Sequence, residues 1–281
     1  MEIGVGLPTM VAGVRRKQLL DWAVEAESHH FSTLAVLDRL VYGGDEALIT
    51  LGAAAAVTDR IRLATSILIA PYRGNTALLA KQAATLHHLS GERLVLGMAV
   101  GAREDDYAAS GVSFHDRGCL LDRMLDEIHL IWHDGEIGPA LNGSTPEILI
   151  GGHSEAALRR VAEHGDGWIG AGAVQTFLPR ARTVRAYWTG RKRAGSPRMV
   201  AQAYYSLGPT ARDDAAEHLG DYYGFFGPRV GVMVDSALTT ADAVRDTASA
   251  YKDAGCDELI LVPCSADPRQ LELLRDTLGD S

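Results

Sequence analysis

The chain has 281 residues, of which 47% are hydrophobic and 22% are charged, and its formal net charge is −9. This composition is typical of a globular protein with a sizeable core, and it excludes a mainly disordered chain. The basic residues are scattered through an acidic sequence, so it lacks the basic patch expected of a protein that binds nucleic acid.

No segment of the sequence has the features of a membrane span or a secretion signal. The longest apolar run, residues 61–71, is interrupted by Arg62, Thr65 and Ser66 and is far shorter than the roughly 20 residues that cross a bilayer. The amino terminus begins Met1-Glu2 and continues directly into a strand-like run, unlike the basic start of a signal peptide. We therefore expect a cytoplasmic protein that does not bind membranes.

The cysteines are odd in number and show no C-x-x-C spacing; they are Cys119, Cys256 and Cys264. Such a pattern predicts neither a disulfide framework nor a zinc or iron–sulfur site. We expect isolated thiols and no bound metal.

Short runs rich in Val, Ile and Leu recur along the chain, separated by stretches of helical length with apolar residues three and four positions apart. The predicted strands are residues 2–7, 33–37, 61–69, 93–98, 147–150, 167–170, 199–206 and 258–262. Eight strands that alternate with helices predict a (β/α)8 TIM barrel, which commonly uses about 250 residues as one domain. An open doubly wound sheet is disfavoured, because no glycine-rich phosphate loop follows the first strand. We expect residues 1–281 to form one domain.

Two segments are long enough to be insertions between the predicted elements. Residues 134–146 read as a Gly-, Pro- and Ser-containing loop ahead of strand five, and residues 213–238 read as an additional helix and loop after strand seven. We expect both segments to lie over the mouth of the barrel, near the carboxyl ends of the strands.

The turn after strand five is a candidate anion site. It consists of Gly151, Gly152, His153 and Ser154, and it opens a predicted helix. The first backbone N–H groups of a helix and its dipole favour a phosphate, and glycines let the ligand approach the main chain. The alternative interpretation is an ordinary tight turn with Ser154 as the helix N-cap.

Ser154 is a weak candidate for a hydrolase nucleophile. A nucleophile elbow has the pattern G-x-S-x-G, whereas here Ser154 is followed by Glu155 and Ala156. The incomplete motif disfavours a hydrolase.

Several blocks of sequence in the same order resemble the luciferase-like monooxygenase family. They are residues 60–71, 79–86, 89–97, 150–154 and 165–169. The resemblance implies a (β/α)8 barrel that binds FMN or F420 at the carboxyl ends of its strands, commonly as a homodimer.

The resemblance also implies which residues bind the cofactor. Thr65, Ser66 and Ile67 correspond to a bulge on strand three that supports the flavin ring, with a non-prolyl cis peptide expected at Ser66-Ile67. Gly97 matches the glycine-bearing end of strand four. Asp105 falls where F420 enzymes of the family often have an asparagine.

Asp38 matches an acidic residue that contacts the cofactor edge in the family; the alternative is a solvated loop aspartate paired with Arg39. Two residues depart from the family pattern, because Arg39 stands where a histidine is common and Ala102 where F420-dependent dehydrogenases often have a glutamate. An arginine stays protonated and is unsuited to act as a base, so Arg39 is expected to stabilise an anionic intermediate or orient an anionic substrate. Arg39 and His153 are the candidate catalytic residues.

The leading functional hypothesis is a monooxygenase that takes reduced FMN from a separate flavin reductase and uses O2 on a small organic substrate. The first alternative is an F420-dependent oxidoreductase that transfers hydride without O2. The second is a barrel that binds a flavin without catalysis. Six aromatic residues are candidates to wall an apolar pocket, but for at least half of them we expect packing in the core or in a lid; they are Tyr204, Tyr205, Tyr222, Tyr223, Phe225 and Phe226.

Overall fold

A computed structural model describes residues 1–141 and 143–279. In this part of the chain, eight parallel strands close into a barrel in the order β1-β2-β3-β4-β5-β6-β7-β8, as the sequence predicts. The strands are β1 Glu2–Gly6, β2 Thr33–Val36, β3 Arg62–Ile69, β4 Leu94–Ala99, β5 Glu147–Gly151, β6 Gly167–Ala171, β7 Arg198–Tyr205 and β8 Glu258–Pro263.

Helices connect the strands and form the outer layer of the barrel. They are α1 Arg16–Ser28, α2 Ala47–Ala55, α3 Thr76–Leu89, α4 Glu104–Ser110, α5 Arg117–Asp134, α6 Glu155–His164, α7 Val174–Gly190, α8 Ala211–Tyr222, α9 Val230–Asp235, α10 Ala241–Asp253 and α11 Arg269–Leu278. Short 3-10 helices lie at Pro71–Arg73 and Gly224–Arg229. Polar residues fix several helix starts: Asn75 accepts from Leu78 N–H and Thr240 accepts from Ala243 N–H.

Apolar side chains fill the barrel interior, and most strands contribute one side chain to a single inner layer. Because strand side chains alternate between the two faces of the sheet, every second residue points inward. The inner apolar layer consists of Ala35, Ala64, Val95, Leu149, Ile169, Val200 and Ile260. The other face of each strand packs against the helices, where Trp22, Trp168, Phe177 and Tyr251 are fully or almost fully buried. The interior is therefore a packed core, and open space is available only beyond it.

A network of charged residues lies at the amino end of the barrel. The Glu258 carboxylate is buried; it accepts a hydrogen bond from the Thr33 hydroxyl at 2.6 Å and pairs with Arg198 at 2.7 Å and with Arg62 at 3.3 Å. Arg198 also pairs with Glu147. These residues come from five strands, so the network ties the amino ends of the barrel strands together.

The two expected insertions lie at opposite ends of the barrel. Residues 213–238 form most of α8, the second 3-10 helix and α9, and their aromatic residues line the mouth as predicted. The prediction for residues 134–146 was wrong. Asp134 is the last residue of α5, and the described residues that follow it lead into the amino end of β5, because a helix-to-strand connection in this fold returns to the bottom of the barrel. Asn142 lies outside the described residues.

Among the residues that the structure describes, no helix combines the length and the apolar character that crossing a membrane requires.

The charged network predicts a large effect of one substitution at the amino end. Glu258→Gln removes the negative charge between two arginines, so we expect the free energy of unfolding to fall by about 3–5 kcal/mol, the range for breaking a buried ion pair. Urea unfolding followed by tryptophan fluorescence measures it. The matched control is Glu217→Gln, on the exposed face of α8, which should change little. Equal unfolding midpoints for the two variants would contradict the assignment.

Candidate functional site

A cavity of about 510 Å³ opens at the carboxyl ends of the strands, and we call it the mouth cavity. It lies directly above the apolar layer of the barrel interior. Its volume falls within the range of about 300–1,000 Å³ that is typical of ligand and cofactor sites. Its lining includes Asp38, Arg39, Ser66, Ile67, Ala99, Arg103, Asp106, Arg117, Gly151, Gly152, His153, Ser154, Gln202, Tyr222, Tyr223, Phe225 and Phe226.

The cavity exists because the next inward positions of the strands carry small or polar side chains. Two residues beyond the apolar layer, the inward positions are Ser66 on β3, Gly151 on β5, Ala171 on β6 and Gln202 on β7, and all four line the cavity. The Ser66 hydroxyl donates a hydrogen bond to the side-chain oxygen of Gln202 at 2.6 Å. This hydrogen bond joins opposite sides of the barrel beneath the open space.

Strand β3 is irregular where it borders the cavity. Its register against β4 shifts between Thr65 and Leu68, and the Ser66-Ile67 peptide bond is cis, as the resemblance implies. The Ile67 side chain lies over Gly151, where an added β-carbon would approach Ile67 Cδ1 to 2.1 Å. It also lies close to Gly97 of β4. Both glycines thus leave the room that Ile67 occupies, and Ile67 forms part of the cavity floor.

The turn between β5 and α6 faces the same cavity. The Ser154 hydroxyl accepts a hydrogen bond from Ala157 N–H at 3.2 Å and so caps α6, which matches the second of the two sequence interpretations. Gly152 has a φ of +125°, and an added β-carbon there would lie 2.8 Å from Ala157 Cβ. Its carbonyl accepts a hydrogen bond from the Trp168 indole at 2.9 Å, which fixes the turn to the barrel. Capping does not exclude anion binding, because other first-turn N–H groups stay available.

His153 lies at the rim of the cavity, in edge contact with the Trp168 ring at 6.5 Å between centroids. Partial burial and the nearby Arg180 guanidinium hold the pKa of His153 below its usual value. The imidazole is therefore neutral near pH 7 and is suited to hydrogen bonding rather than to charge pairing.

Asp38 lines the cavity, but both of its carboxylate oxygens are engaged by the protein. One accepts from Ile69 N–H at 2.9 Å and from the Tyr72 hydroxyl at 2.6 Å, and the other pairs with Arg73 at 3.0 Å. Burial raises the pKa of Asp38, although Arg73 and the two hydrogen bonds act in the opposite direction. The alternative of a solvated aspartate paired with Arg39 is wrong, because Asp38 is buried and Arg73 is its partner. Asp38 anchors the end of β3 at the edge of the cavity.

Arg39 extends under an aromatic lid, which we define as Tyr222, Tyr223, Phe225 and Phe226. Its guanidinium carbon lies 5.0 Å from the centre of the Tyr222 ring and 5.6 Å from that of Phe225. Its Nη1 donates to the Tyr222 carbonyl at 2.9 Å. Within the lid, Phe225 and Phe226 are in contact at 4.2 Å between centroids. Of the six aromatic residues that the sequence offers as candidates, these four line the cavity, whereas Tyr205 is buried in the core.

Three of the predicted cofactor residues do not line the cavity. Thr65 is fully buried and its hydroxyl donates to the Gly97 carbonyl at 2.8 Å, so these two residues hold β3 against β4. Asp105 forms an ion pair with Arg103 at the rim. In this chain, Thr65 and Gly97 support the floor, and Asp105 orients an arginine.

Sequence reasoning missed Gln202, Arg103 and Arg117. Gln202 gave a usable signal, since it is a polar residue inside the apolar run of β7. The arginines gave none, because Arg117 begins α5 and reaches the cavity only through the packing of α5 against α6, where Arg160 bonds to the Gly118 carbonyl at 3.3 Å. Arg103 lies over the Phe225 ring at 4.3 Å.

The turn of residues 151–154 and the bulge of β3 therefore share one rim of the barrel, as the sequence interpretation requires. The candidate anion-binding turn, a floor formed by Ile67 and an aromatic lid surround one cavity. This arrangement can hold a planar ring that carries a phosphate.

Comparisons with known proteins identify the family of this chain. The sequence model of the luciferase-like monooxygenase family matches residues 1–261. An F420-dependent glucose-6-phosphate dehydrogenase of Kribbella flavida is 27% identical over 217 residues, which cover 69% of this chain and 65% of that protein. The chain spans only 51% to 59% of the length of the uncharacterized Mycobacterium tuberculosis proteins that it also matches.

Two solved structures share the fold along almost the whole chain. An F420-dependent secondary alcohol dehydrogenase with an F420-acetone adduct has a TM-score of 0.82 at 17% identity and covers 99% of both chains. The oxygenating constituent of 3,6-diketocamphane monooxygenase from Pseudomonas putida, in complex with FMN, has a TM-score of 0.73 at 16% identity and covers 99% of this chain and 98% of that one. The resemblance drawn from the sequence is confirmed, and this chain belongs to the luciferase-like monooxygenase family.

Proposed function

We propose that this chain is an oxidoreductase that binds F420 in the mouth cavity and exchanges hydride between this cofactor and a small organic substrate. The observation that carries the proposal is the convergence of the residue 151–154 turn, the Ile67 floor and the aromatic lid on one cavity. Most TIM barrel enzymes react at this end of the strands. Both the activity of the protein and the class of its substrate are part of this proposal.

We place the cofactor phosphate between the start of α6 and Arg117. The free N–H groups of the first α6 turn point out of the helix, and the helix dipole favours an anion there. Arg117 forms no ion pair in the described part of the chain; its Nη1 donates to the Phe114 carbonyl at 2.6 Å, and its buried Nε has no hydrogen-bond partner there. A phosphate in the cavity supplies the missing negative charge.

We place the cofactor ring against Ile67, where Ala99 and Ile169 also line the cavity as apolar neighbours. When bound, the ring supplies or accepts the hydride. The protein supplies binding and orientation: the floor sets the depth of the ring, and the turn fixes its phosphate end. Phe225 and Phe226 close the cavity and reduce its contact with water, which strengthens electrostatic interactions inside. We assign neutral His153 to hydrogen bonding with the bound cofactor.

We favour F420 over the reduced FMN that the sequence alone suggested. The reason is the F420-dependent relative from Kribbella flavida, whose match covers 69% of this chain and 65% of that protein. The fold itself is shared by proteins that hold either cofactor.

Titration with each cofactor tests the proposal. We expect F420 to bind with a dissociation constant in the micromolar range or below, and oxidised FMN to bind more weakly, as measured by quenching of cofactor fluorescence. Tighter binding of FMN would overturn the choice of cofactor. If neither cofactor binds, the proposed function as a whole fails.

A monooxygenase that uses reduced FMN and O2 is the second candidate. The family resemblance implies that a histidine and a glutamate transfer protons in F420-dependent dehydrogenases. This chain has Arg39 and Ala102 at those positions, which favours a reaction that does not need these two residues. Such an enzyme needs a separate flavin reductase as a partner. Oxygen uptake with reduced FMN across a substrate panel supports this candidate, and cofactor binding without any turnover supports a non-catalytic barrel.

The phosphate assignment predicts the effect of Arg117→Gln. We expect cofactor affinity to fall about tenfold or more, because a charge-assisted hydrogen bond to the phosphate is lost. The fluorescence titration measures this change, and the variant should also show a weaker dependence of affinity on salt. Arg123→Gln, exposed on the same helix, is the control. An unchanged affinity in Arg117→Gln would exclude Arg117 from the phosphate site.

We also propose that the chain forms a homodimer through α2. The exposed face of this helix carries Ile49 and Ala53 without a charged residue, and Ile49 is 74% exposed. Leu78 of the neighbouring α3 is 53% exposed. A helix that is apolar on all sides is normally covered, and a second copy of the chain covers it with the same surface.

The dimer predicts a change of mass in one variant. Ile49→Asp places a charge in the interface, so light scattering after size exclusion should report a monomer, whereas the wild type and the control Leu130→Asp stay dimeric. Leu130 is 60% exposed on α5 and lies away from α2. A monomeric wild-type protein would rule out this interface.

A further inference from the structure

The mouth cavity contains a second cation without a carboxylate partner, Arg39. Its Nη1 and Nη2 donate to the carbonyls of Tyr222 and Val41 at 2.9 and 3.0 Å. Its Nε is buried and has no hydrogen-bond partner in the described residues. Tyr42, Tyr222 and Phe225 surround the guanidinium with ring centres at 4.9, 5.0 and 5.6 Å. Carbonyl oxygens and ring faces stabilise the cation, but they supply no negative charge.

The nearby carboxylates are already engaged by other groups. Asp38 pairs with Arg73 at 3.0 Å, and Asp105 pairs with Arg103. Asp106 accepts from Val41 N–H at 2.7 Å. No ion pair to Arg39 exists in the described part of the chain. A partly buried charge is normally compensated by an opposite one, so a ligand in the cavity is the remaining source of an anion.

The phosphate of the cofactor is not that anion. Our proposed function places it between α6 and Arg117, beside β5. Arg39 follows β2 and lies under the lid, and in the closed barrel β3 and β4 separate β2 from β5. The cavity thus has two anion positions in different sectors of its rim, and one phosphate fills only one of them.

We infer that Arg39 binds a carboxylate group of the substrate, and that the substrate is a small carboxylic acid with a flat apolar body. Arg39 lines the cavity, and each of its Nη groups has a second N–H besides the one that donates to a carbonyl. These N–H groups and the positive charge suit a carboxylate oxygen. The apolar body packs against Tyr223, Phe225 and Phe226 of the lid, which line the cavity beside Arg39. The inference rests on the proposed function for the position of the cofactor.

Pairs of acids and their neutral amides test the inference directly. Benzoate with benzamide, and phenylacetate with phenylacetamide, are titrated into the protein loaded with the cofactor that binds it, and binding is followed by ligand-observed NMR. At low salt we expect at least one acid to bind about tenfold or more tightly than its amide, the difference that a charge-assisted hydrogen bond provides. Arg39→Gln should abolish this preference and Arg39→Lys should retain part of it, since lysine keeps the charge but loses the planar edge. Arg212→Gln, exposed on α8, is the control and should behave as the wild type.

The outcomes separate this inference from the proposed function. If a cofactor binds but neither acid is preferred over its amide, or if Arg39→Gln keeps the preference, the inference is overturned and the proposed function stands. If the acids bind to the free protein but F420 excludes them, Arg39 serves the cofactor and the inference is again overturned. If neither F420 nor FMN binds, the proposed function fails, and the same titrations on the free protein still decide whether Arg39 selects a carboxylate. Circular dichroism of each variant confirms that a lost preference does not reflect unfolding.

Discussion

The candidate site depends on a packing constraint among three neighbouring strands. The side chain of Ile67 on β3 occupies the space above Gly151 on β5, and a β-carbon at Gly151 would approach it to 2.1 Å. Gly97 on β4 meets a similar limit, since its added β-carbon would lie 2.1 Å from the Thr65 carbonyl. A side chain at Gly97 would collide with the β3 backbone and displace it, whereas one at Gly151 would force the Ile67 side chain from its place on the cavity floor. Three strands distant in sequence must therefore carry compatible residues for the floor of the site to exist.

Electrostatics divides the barrel into two ends with different character. At the amino end, the buried Glu258 carboxylate is paired with Arg62 and Arg198, so charge is compensated within the chain. At the carboxyl end, Arg39 and Arg117 form no ion pair within the described residues, and each has a buried Nε without a partner. Charges that stabilise the fold are paired by the protein itself, whereas we propose that ligands in the cavity compensate these two arginines.

The sequence predicts the strands to within about two residues, because apolar runs bounded by polar turns are a local signal. The sequence also places the residue 151–154 turn and Ser66-Ile67 at the mouth, because both lie near carboxyl ends of predicted strands and both match the family resemblance. Partners set by tertiary packing do not follow. Arg73 rather than Arg39 pairs with Asp38, and Arg117 enters the cavity from the start of a helix, which no spacing in the sequence reveals. The prediction for the loop before β5 was wrong because it relied on the composition of the loop. The loop joins the end of α5 to the start of β5, and this connection places it at the amino end of the barrel.

The apolar layer inside the barrel, from Ala35 to Ile260, separates the two ends physically. The charged network at the amino end and the residues of the mouth lie on opposite sides of this layer, so substitutions in the two regions should combine additively in their effects on stability. Selection can then alter the loops around the mouth, and with them the range of compounds that the protein accepts, without rebuilding the part of the molecule that holds the strands together. A scaffold partitioned in this way allows chemistry to diversify while folding is retained.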